Sequence, residues 1–357
     1  MRETYLSSFH SAAQHGPRPL PLFLSLLRSE TATSPERRTA ALAGLKAYQE
    51  AERPAERVLK PAIATAGRAS LRDYGGGGGV PVVFVPSLIN PPFILDIAPG
   101  NSLLEWLATQ GVRPLLVDWG SPGPADRDQG IDHHIAELLL PLLDALNEPP
   151  LLAGYCLGGT LAMAAAMLRP VLGLVTIAAP WRFRRYGDFA RAAIAAQWEA
   201  AQPACEQLGL VPMEVLQSGF WQLDPARTIA KFERFAKLEP GSDQARAFLA
   251  LEDWANAGAP LTYAAGSEMF ERFFRADRPG SGRWWMHGRR ILPARLACPA
   301  LELLSTTDRI VPAATAAGLP ERRSLALGHV GMIVGGRARE MVWAPLRDWF
   351  LAAAHTR

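Results

Sequence analysis

Cysteine is scarce in this chain: 3 residues among 357, Cys156, Cys205 and Cys298, widely spaced. That spacing excludes a disulfide framework, and without any Cys-x-x-Cys or clustered His/Cys pattern no metal site is expected. Charge of one sign is scarce too. A formal net charge of +3, with no long basic run interleaved with aromatics, argues against nucleic acid as a partner. Long apolar runs are also missing. The N-terminal run at residues 20–27 is short, is broken by Pro21 and lacks a small-residue cleavage site, so neither a transmembrane helix nor a secretion signal is expected. A reducing cytoplasm fits these absences best. What the chain does have is apolar content: 49% hydrophobic against 20% charged suffices for one large core or two modest ones.

The order of patterns points to a fold class. Ser34 reads as an N-cap with Pro35 at the first helical position, followed by Ala and Leu at helical spacing. Five glycines, Gly75 to Gly79, then interrupt the pattern, and "VPVVFVPS" follows as a β-branched, nearly continuous apolar run of the kind buried on both faces. From there strands ("VRPLLVDWG", "PPLLAGY", "VLGLVTIAA") alternate with helices ("NSLLEWLATQG", "IDHHIAELLLPLLDAL", "LGGTLAMAAAMLR"). This alternation implies βαβ units and a mostly parallel sheet with helices on both faces, an α/β fold. After Pro180 no convincing buried strand appears until "PALELLS" and "RRSLAL". The expected organisation is therefore an N-terminal helical segment and glycine-rich linker over 1–79, a core in two parts over 80–180 and 291–357, and a helical cap over 181–290. Such a cap would cover the sheet edge where ligands bind in open α/β folds.

The stretch "LLAGYCLGGTLAMAAAM" carries the chemistry. A strand ending in Gly-x-Cys-x-Gly and running straight into a helix matches a nucleophile elbow: small neighbours permit a sharp turn, the apex side chain of Cys156 stands above the sheet, and the next N–H, that of Leu157, faces the attacked carbonyl. The competing reading of Cys156 is a buried structural cysteine. A nucleophile of this type needs an acid and a base, in that chain order. Asp308 in "LLSTTDRIVP" is the acid candidate, just past a strand, against the alternative of a turn aspartate paired with Arg309. Asp118 in "LLVDWGSP" competes, but it precedes the nucleophile, which favours a structural part. His329 in "LALGHVGMIVGG" is the base candidate, the one histidine of seven on a loop after the final strand that can fold back over the sheet edge. The tryptophans Trp221, Trp254, Trp284 and Trp285 read as the core of the insertion, with a channel lining as the alternative.

The blocks "GYCLGG", "VPSLINPPFILDIAPGNSLLEWL", "LLVDWGSPG", "LEDWANAGAPL", "TDRIVP" and "GHVGMIVGG" resemble, in the same order, those of polyhydroxyalkanoate synthases and their short relatives. The resemblance implies an α/β-hydrolase fold with a cap. It also implies an acyltransferase that moves 3-hydroxyacyl groups from coenzyme A to a polyester chain through an acyl-cysteine on a Cys156–Asp308–His329 triad. By the same resemblance the "SLIN" segment supplies a second oxyanion donor, the N–H of Ile89 beside that of Leu157. Coenzyme A enters as the thioester substrate, so no bound cofactor is expected. The macromolecular partner would be a second copy of the chain or a separate synthase subunit, and the location the cytoplasm or the surface of a polyester granule within it. A polyester depolymerase or acyl-coenzyme A thioesterase with the same triad is the alternative enzyme, and an inactive granule- or synthase-binding member the alternative of another class.

Overall fold

The computed structural model describes residues 15–53 and 57–355; residues 1–14 of the expected N-terminal segment lie outside the described residues. The chain divides into two compact units, one made of Met1–Glu56 and Asp224–Asn256, the other of Arg57–Leu223 and Ala257–Arg357.

The first unit contains α1 (Leu20–Glu30) and α2 (Pro35–Glu50) together with two later helices, Pro225–Phe235 and Asp243–Asn256. The expected start of α2 is present: the Ser34 hydroxyl accepts from the Arg37 N–H and Pro35 follows. Gly44 lets α2 cross close to a neighbour, since a Cβ there would lie 2.0 Å from the Phe232 carbonyl oxygen. Tyr48 donates to Asp253 at 2.6 Å, and Arg53 grips the same carboxylate at 2.8 Å.

The second unit is built on one eight-stranded sheet. Its strands are β1 (Ala62–Ala66), β2 (Ala69–Asp73), β3 (Val80–Val85), β4 (Val112–Asp118), β5 (Leu151–Tyr155), β6 (Gly173–Ile177), β7 (Ala300–Ser305) and β8 (Glu321–Leu325). In space they run β1-β2-β4-β3-β5-β6-β7-β8. All neighbours from β4 onward are parallel, whereas β1 and β2 form an antiparallel hairpin that joins β4 antiparallel. Every residue of β5 and β6 is buried, which is why those strands read as unbroken apolar runs. The β1–β2 hairpin was not expected from sequence. Its segment, "AIATAGRASLRD", is rich in Ala and Ser, lies at a sheet edge and turns at Gly67 with φ 54°, so it carries little apolar alternation. At the other edge β8 is mostly exposed and charged through Glu321, Arg322 and Arg323, a composition that discourages pairing with another strand.

The helices on the sheet form where the pattern places them, with one departure. The helical stretch at residues 131–144 is π-helical over His134–Leu139, immediately ahead of Pro141, which has no N–H to continue the α-helical ladder. The helix after β5 is α3 (Leu157–Leu168), and the long α4 (Asp188–Leu208) follows β6. Between β6 and β7 this unit has only two-residue ladders, Leu210–Val211 with Leu261–Thr262 and Trp285–Met286 with Arg289–Arg290. Trp221, Trp254 and Trp284 are buried as core residues, Trp284 donating to Asp132 at 3.0 Å. Trp285 is exposed, because its neighbour Trp284 takes the inward direction and successive strand side chains point to opposite sides. No helix among the described residues is long and apolar enough to cross a membrane.

Candidate active site

Cys156 occupies the turn between β5 and α3 with φ 56° and ψ −134°, a backbone conformation that costs an L-residue about 1–3 kcal/mol and persists only where its surroundings enforce it. The surroundings are tight. A Cβ on Gly154 would come within 2.4 Å of the Gly159 Cα, one on Gly158 within 2.1 Å of the Val85 carbonyl oxygen, and one on Gly159 within 2.4 Å of the Ala179 Cβ. The glycines therefore let strand, turn and helix pass where no side chain fits. The Cys156 N–H donates across to Ile177 of β6 at 2.9 Å, which ties the apex to the neighbouring strand. Leu157 opens α3, so its N–H has no intrahelical acceptor and points out at the positive end of a twelve-residue helix.

The structure brings Asp308 and His329 to this apex. Nδ1 of His329 lies 2.5 Å from Oδ2 of Asp308, whose side chain is fully buried. The other carboxylate oxygen, Oδ1, accepts the N–H groups of Ile310 and Val311 at 2.7 and 2.9 Å. Asp308 is thus held as an acceptor on both sides. A protonated Nδ1 facing it leaves Nε2 of His329 available toward Cys156, whose charge acts on the ring. Burial opposes charge on the imidazole. The negative charge of the Cys156 thiolate and the bond to Asp308 outweigh burial and push His329 up to about 10. A histidine held in its charged form is the partner that a cysteine nucleophile requires.

Asp118 has a different environment. Its Oδ2 accepts from Arg72 Nε at 2.7 Å and its Oδ1 from the Gly120 N–H at 3.1 Å, so both oxygens serve the turn after β4. Of the two N–H groups expected to hold an oxyanion, that of Leu157 is free, whereas that of Ile89 donates to the Ser87 hydroxyl at 3.1 Å. One residue earlier, the Leu88 N–H takes no acceptor among the described residues. The loop that carries it leaves β3 beside β5, in register Val85 with Gly154, and its Pro86 carbonyl abuts Gly158 at the start of α3.

Two positioning side chains were not legible in the motifs. Tyr155 precedes the nucleophile, lays its ring 5.0 Å from that of His329, and donates its hydroxyl to the His329 carbonyl at 3.4 Å. Trp119 donates its indole N–H to the Pro86 carbonyl at 3.1 Å, which fixes the start of the loop bearing Leu88. Adjacency to Cys156 in "GYC" is the only sequence signal for Tyr155, and Trp119 has none, because its partner lies 33 residues away. The same loop lines a cleft of about 410 Å³ with Ser87, Leu88, Asn90, Trp119 and Gly258 among its walls.

A strained apex cysteine after β5, an aspartate after β7 and a histidine after β8 of this strand order match the layout of an α/β-hydrolase site. The chain belongs to the alpha/beta hydrolase family, whose model matches residues 76–342. Within that family it is similar to the poly(3-hydroxyalkanoate) polymerase subunit PhaC of Haloferax mediterranei, 26% identical over 300 residues, which are 78% of this chain and 60% of that protein. It is likewise similar to the corresponding subunit of Allochromatium vinosum, 27% identical over 76% of this chain and 80% of that protein. The expected resemblance to polyhydroxyalkanoate synthases is thereby borne out, and so is the α/β-hydrolase fold. A thermophilic esterase from Thermogutta terrifontis shares that fold, with TM-score 0.51 and 20% identity over 84% of this chain and 99% of that one.

Proposed function

We propose that this protein is an acyltransferase of the polyhydroxyalkanoate synthase type, passing 3-hydroxyacyl groups from coenzyme A to a polyester hydroxyl through Cys156. The observation that carries the reading is a strained apex cysteine within electrostatic reach of a histidine that is itself bonded to a buried aspartate. The thiolate of Cys156 attacks the thioester carbonyl, and the developing oxyanion is held by the free N–H groups of Leu157 and Leu88, which take the place expected of Leu157 and Ile89. Collapse expels the coenzyme A thiolate, which takes the proton from Nε2 of His329. The acyl-cysteine remains. His329 then accepts the proton of a chain-end hydroxyl, the alkoxide attacks the acyl carbon, and the Cys156 thiolate leaves as the new ester forms.

Cysteine suits this sequence because thioester exchange is nearly neutral in free energy, so the acyl group stays activated until a hydroxyl arrives. A serine would hold it as a less reactive oxyester. Asp308 orients His329 and stabilises its cation without giving up its own charge. In this reading the relatives' printed name, a polymerase subunit, supports a second copy or a partner subunit at work with this chain. The test is incubation of purified protein with 3-hydroxybutyryl-coenzyme A, following free coenzyme A and the acyl product. Polymer is the expected product. Free hydroxyacid would make the protein a thioesterase, and no release of coenzyme A would remove the enzyme reading.

A further inference from the structure

The segments "WRFRRYGDF" and "RPGSGRWWMHGRR" take no part in the triad, yet the fold brings them together. The turn at 277–283 packs on residues 182 and 183: a Cβ on Gly280 would lie 2.7 Å from the Arg182 Cα, and the buried Asp277 carboxylate accepts the N–H groups of Phe183 at 2.8 Å and Gly280 at 3.2 Å. Arg290 reaches the same turn, its Nε donating to the Gly282 carbonyl. The outcome is six exposed arginines on one patch: Arg182, Arg184, Arg185, Arg278, Arg283 and Arg290.

These arginines stand together without a counter-charge. Among the described residues none of the six pairs with a carboxylate, whereas nearby Arg272 and Arg275 bind Glu268 and Glu199 at 2.9 and 2.5 Å. Asp277, the carboxylate of the turn itself, is buried and faces the backbone. Several like charges left together and unneutralised repel one another, an arrangement that makes sense when an anion completes it.

The patch also has the right address. The chain that leads to it leaves β6 alongside the elbow, with Ile177 accepting the Cys156 N–H at 2.9 Å and Pro180 accepting the Thr160 hydroxyl of α3 at 2.5 Å. Tyr186 closes the turn that holds Arg184 and Arg185. Its hydroxyl is held well above the usual tyrosine range, first by burial and then by the negative charges of Cys156 and Asp308, so the turn ends within electrostatic reach of the nucleophile.

We infer that this arginine patch is the binding site for the phosphate groups of a coenzyme A thioester, its pyrophosphate and ribose phosphate, which rests on the acyl-transfer reading above. Guanidinium forks match phosphate oxygens two at a time. The pantetheine arm places those phosphates many bonds from the thioester, so with the thioester at the half-buried Cys156 they fall outside the site, on the surface.

Exposed arginines can be replaced without opening a core, so the test is the double variant Arg184→Ala/Arg185→Ala with Arg184→Lys/Arg185→Lys as its charge-retaining control. KM for 3-hydroxybutyryl-coenzyme A should rise roughly tenfold in the alanine variant, with kcat changed by less than about twofold. The preference for that substrate over its N-acetylcysteamine thioester, which has no phosphates, should fall by the same factor, and the lysine control should recover part of it. A substrate preference equal to wild type would overturn the site while leaving the acyl-transfer reading intact. Calorimetric binding of coenzyme A alone needs no turnover: weakened binding in the alanine variant supports the site even if the protein transfers no acyl group, and unchanged binding removes it. Vesicles of phosphatidylglycerol make the last arm. Vesicle binding lost in the variant, with coenzyme A binding unaltered, would assign the patch to an anionic surface instead.

Discussion

The carboxyl ends of β4 and β7 each carry an aspartate, Asp118 in the last pair of β4 and Asp308 three residues past the last pair of β7, and the two ends do different work. Asp118 at β4 is partly exposed and shared between Arg72 and the Gly120 N–H. Asp308 after β7 is fully buried at its side chain, is bound by two N–H groups on one oxygen, and turns the other to His329. A carboxylate facing an arginine in partial solvent contributes modestly to a turn. One enclosed with a histidine is placed, in the proposed mechanism, to control a proton. The type of residue is the same; the partner that the sheet order delivers decides its role, because β7 lies two strands from the nucleophile on one side and β4 two strands away on the other.

The largest effect should come at the strand between them. Cys156→Ala should leave the fold intact, because the apex side chain fills no core cavity, and should lower acyl transfer by about a millionfold, as removal of a nucleophile does in comparable triads. Substantial residual turnover in a folded variant would mean that neither strand end serves this cysteine. Next comes the comparison itself. Asp308→Asn keeps the shape but loses the charge that sets the histidine tautomer, and kcat should drop about ten-thousandfold. Asp118→Asn should leave kcat near wild type; matched losses from the two, both variants being folded, would erase the distinction between the strand ends.

A smaller effect concerns pH. The folded pKa of His329, about 10, lies above the ordinary 6.5. Its charged form therefore stabilises the fold fully below the unfolded value and loses that contribution as pH rises toward the folded one. The stability difference between wild type and His329→Gln should be constant below about pH 6.5 and shrink from there to about pH 10, as followed by urea unfolding at a series of pH values. A difference that grew with pH would reverse the assignment of charge. In Cys156→Ala the same histidine should titrate lower than in wild type, read from its ring proton shifts, since the thiolate that raises it is gone. The smallest effect belongs to β4. Asp118→Asn should cost about 1 kcal/mol or less in unfolding free energy, the scale of a partly exposed ion pair.

Much of this site was readable along the chain. The elbow was legible because its requirements are local: Gly154, Gly158 and Gly159 are adjacent to the residue they accommodate, and each is excluded from bearing a side chain by backbone or a small neighbour within 2.4 Å. Asp308 and His329 were reachable through chain order and strand ends. Ile89 was not a safe choice of donor, because whether its N–H is free depends on the rotamer of Ser87, two residues away, and not on the motif. The β1–β2 hairpin escaped notice because β1 is a mostly exposed edge strand and β2, though paired on both sides, is built of Ala, Ser and charged residues around a single leucine, so neither carries a strong apolar pattern.

The sequence alone determined the strand–turn–helix around Cys156, the parallel alternation and the capped start of α2, since each is set by contacts within a few residues. Only the tertiary structure decided which aspartate faces the histidine, that Leu88 and not Ile89 keeps a free N–H, that Tyr155 and Trp119 brace the site, and that arginines from residues 182–185 and 278–290 share one surface. The physical reason is the range of the interactions. Steric limits on a turn act between neighbours in the chain, whereas the partner of a carboxylate and the gathering of like charges on one surface depend on which segments the fold brings side by side.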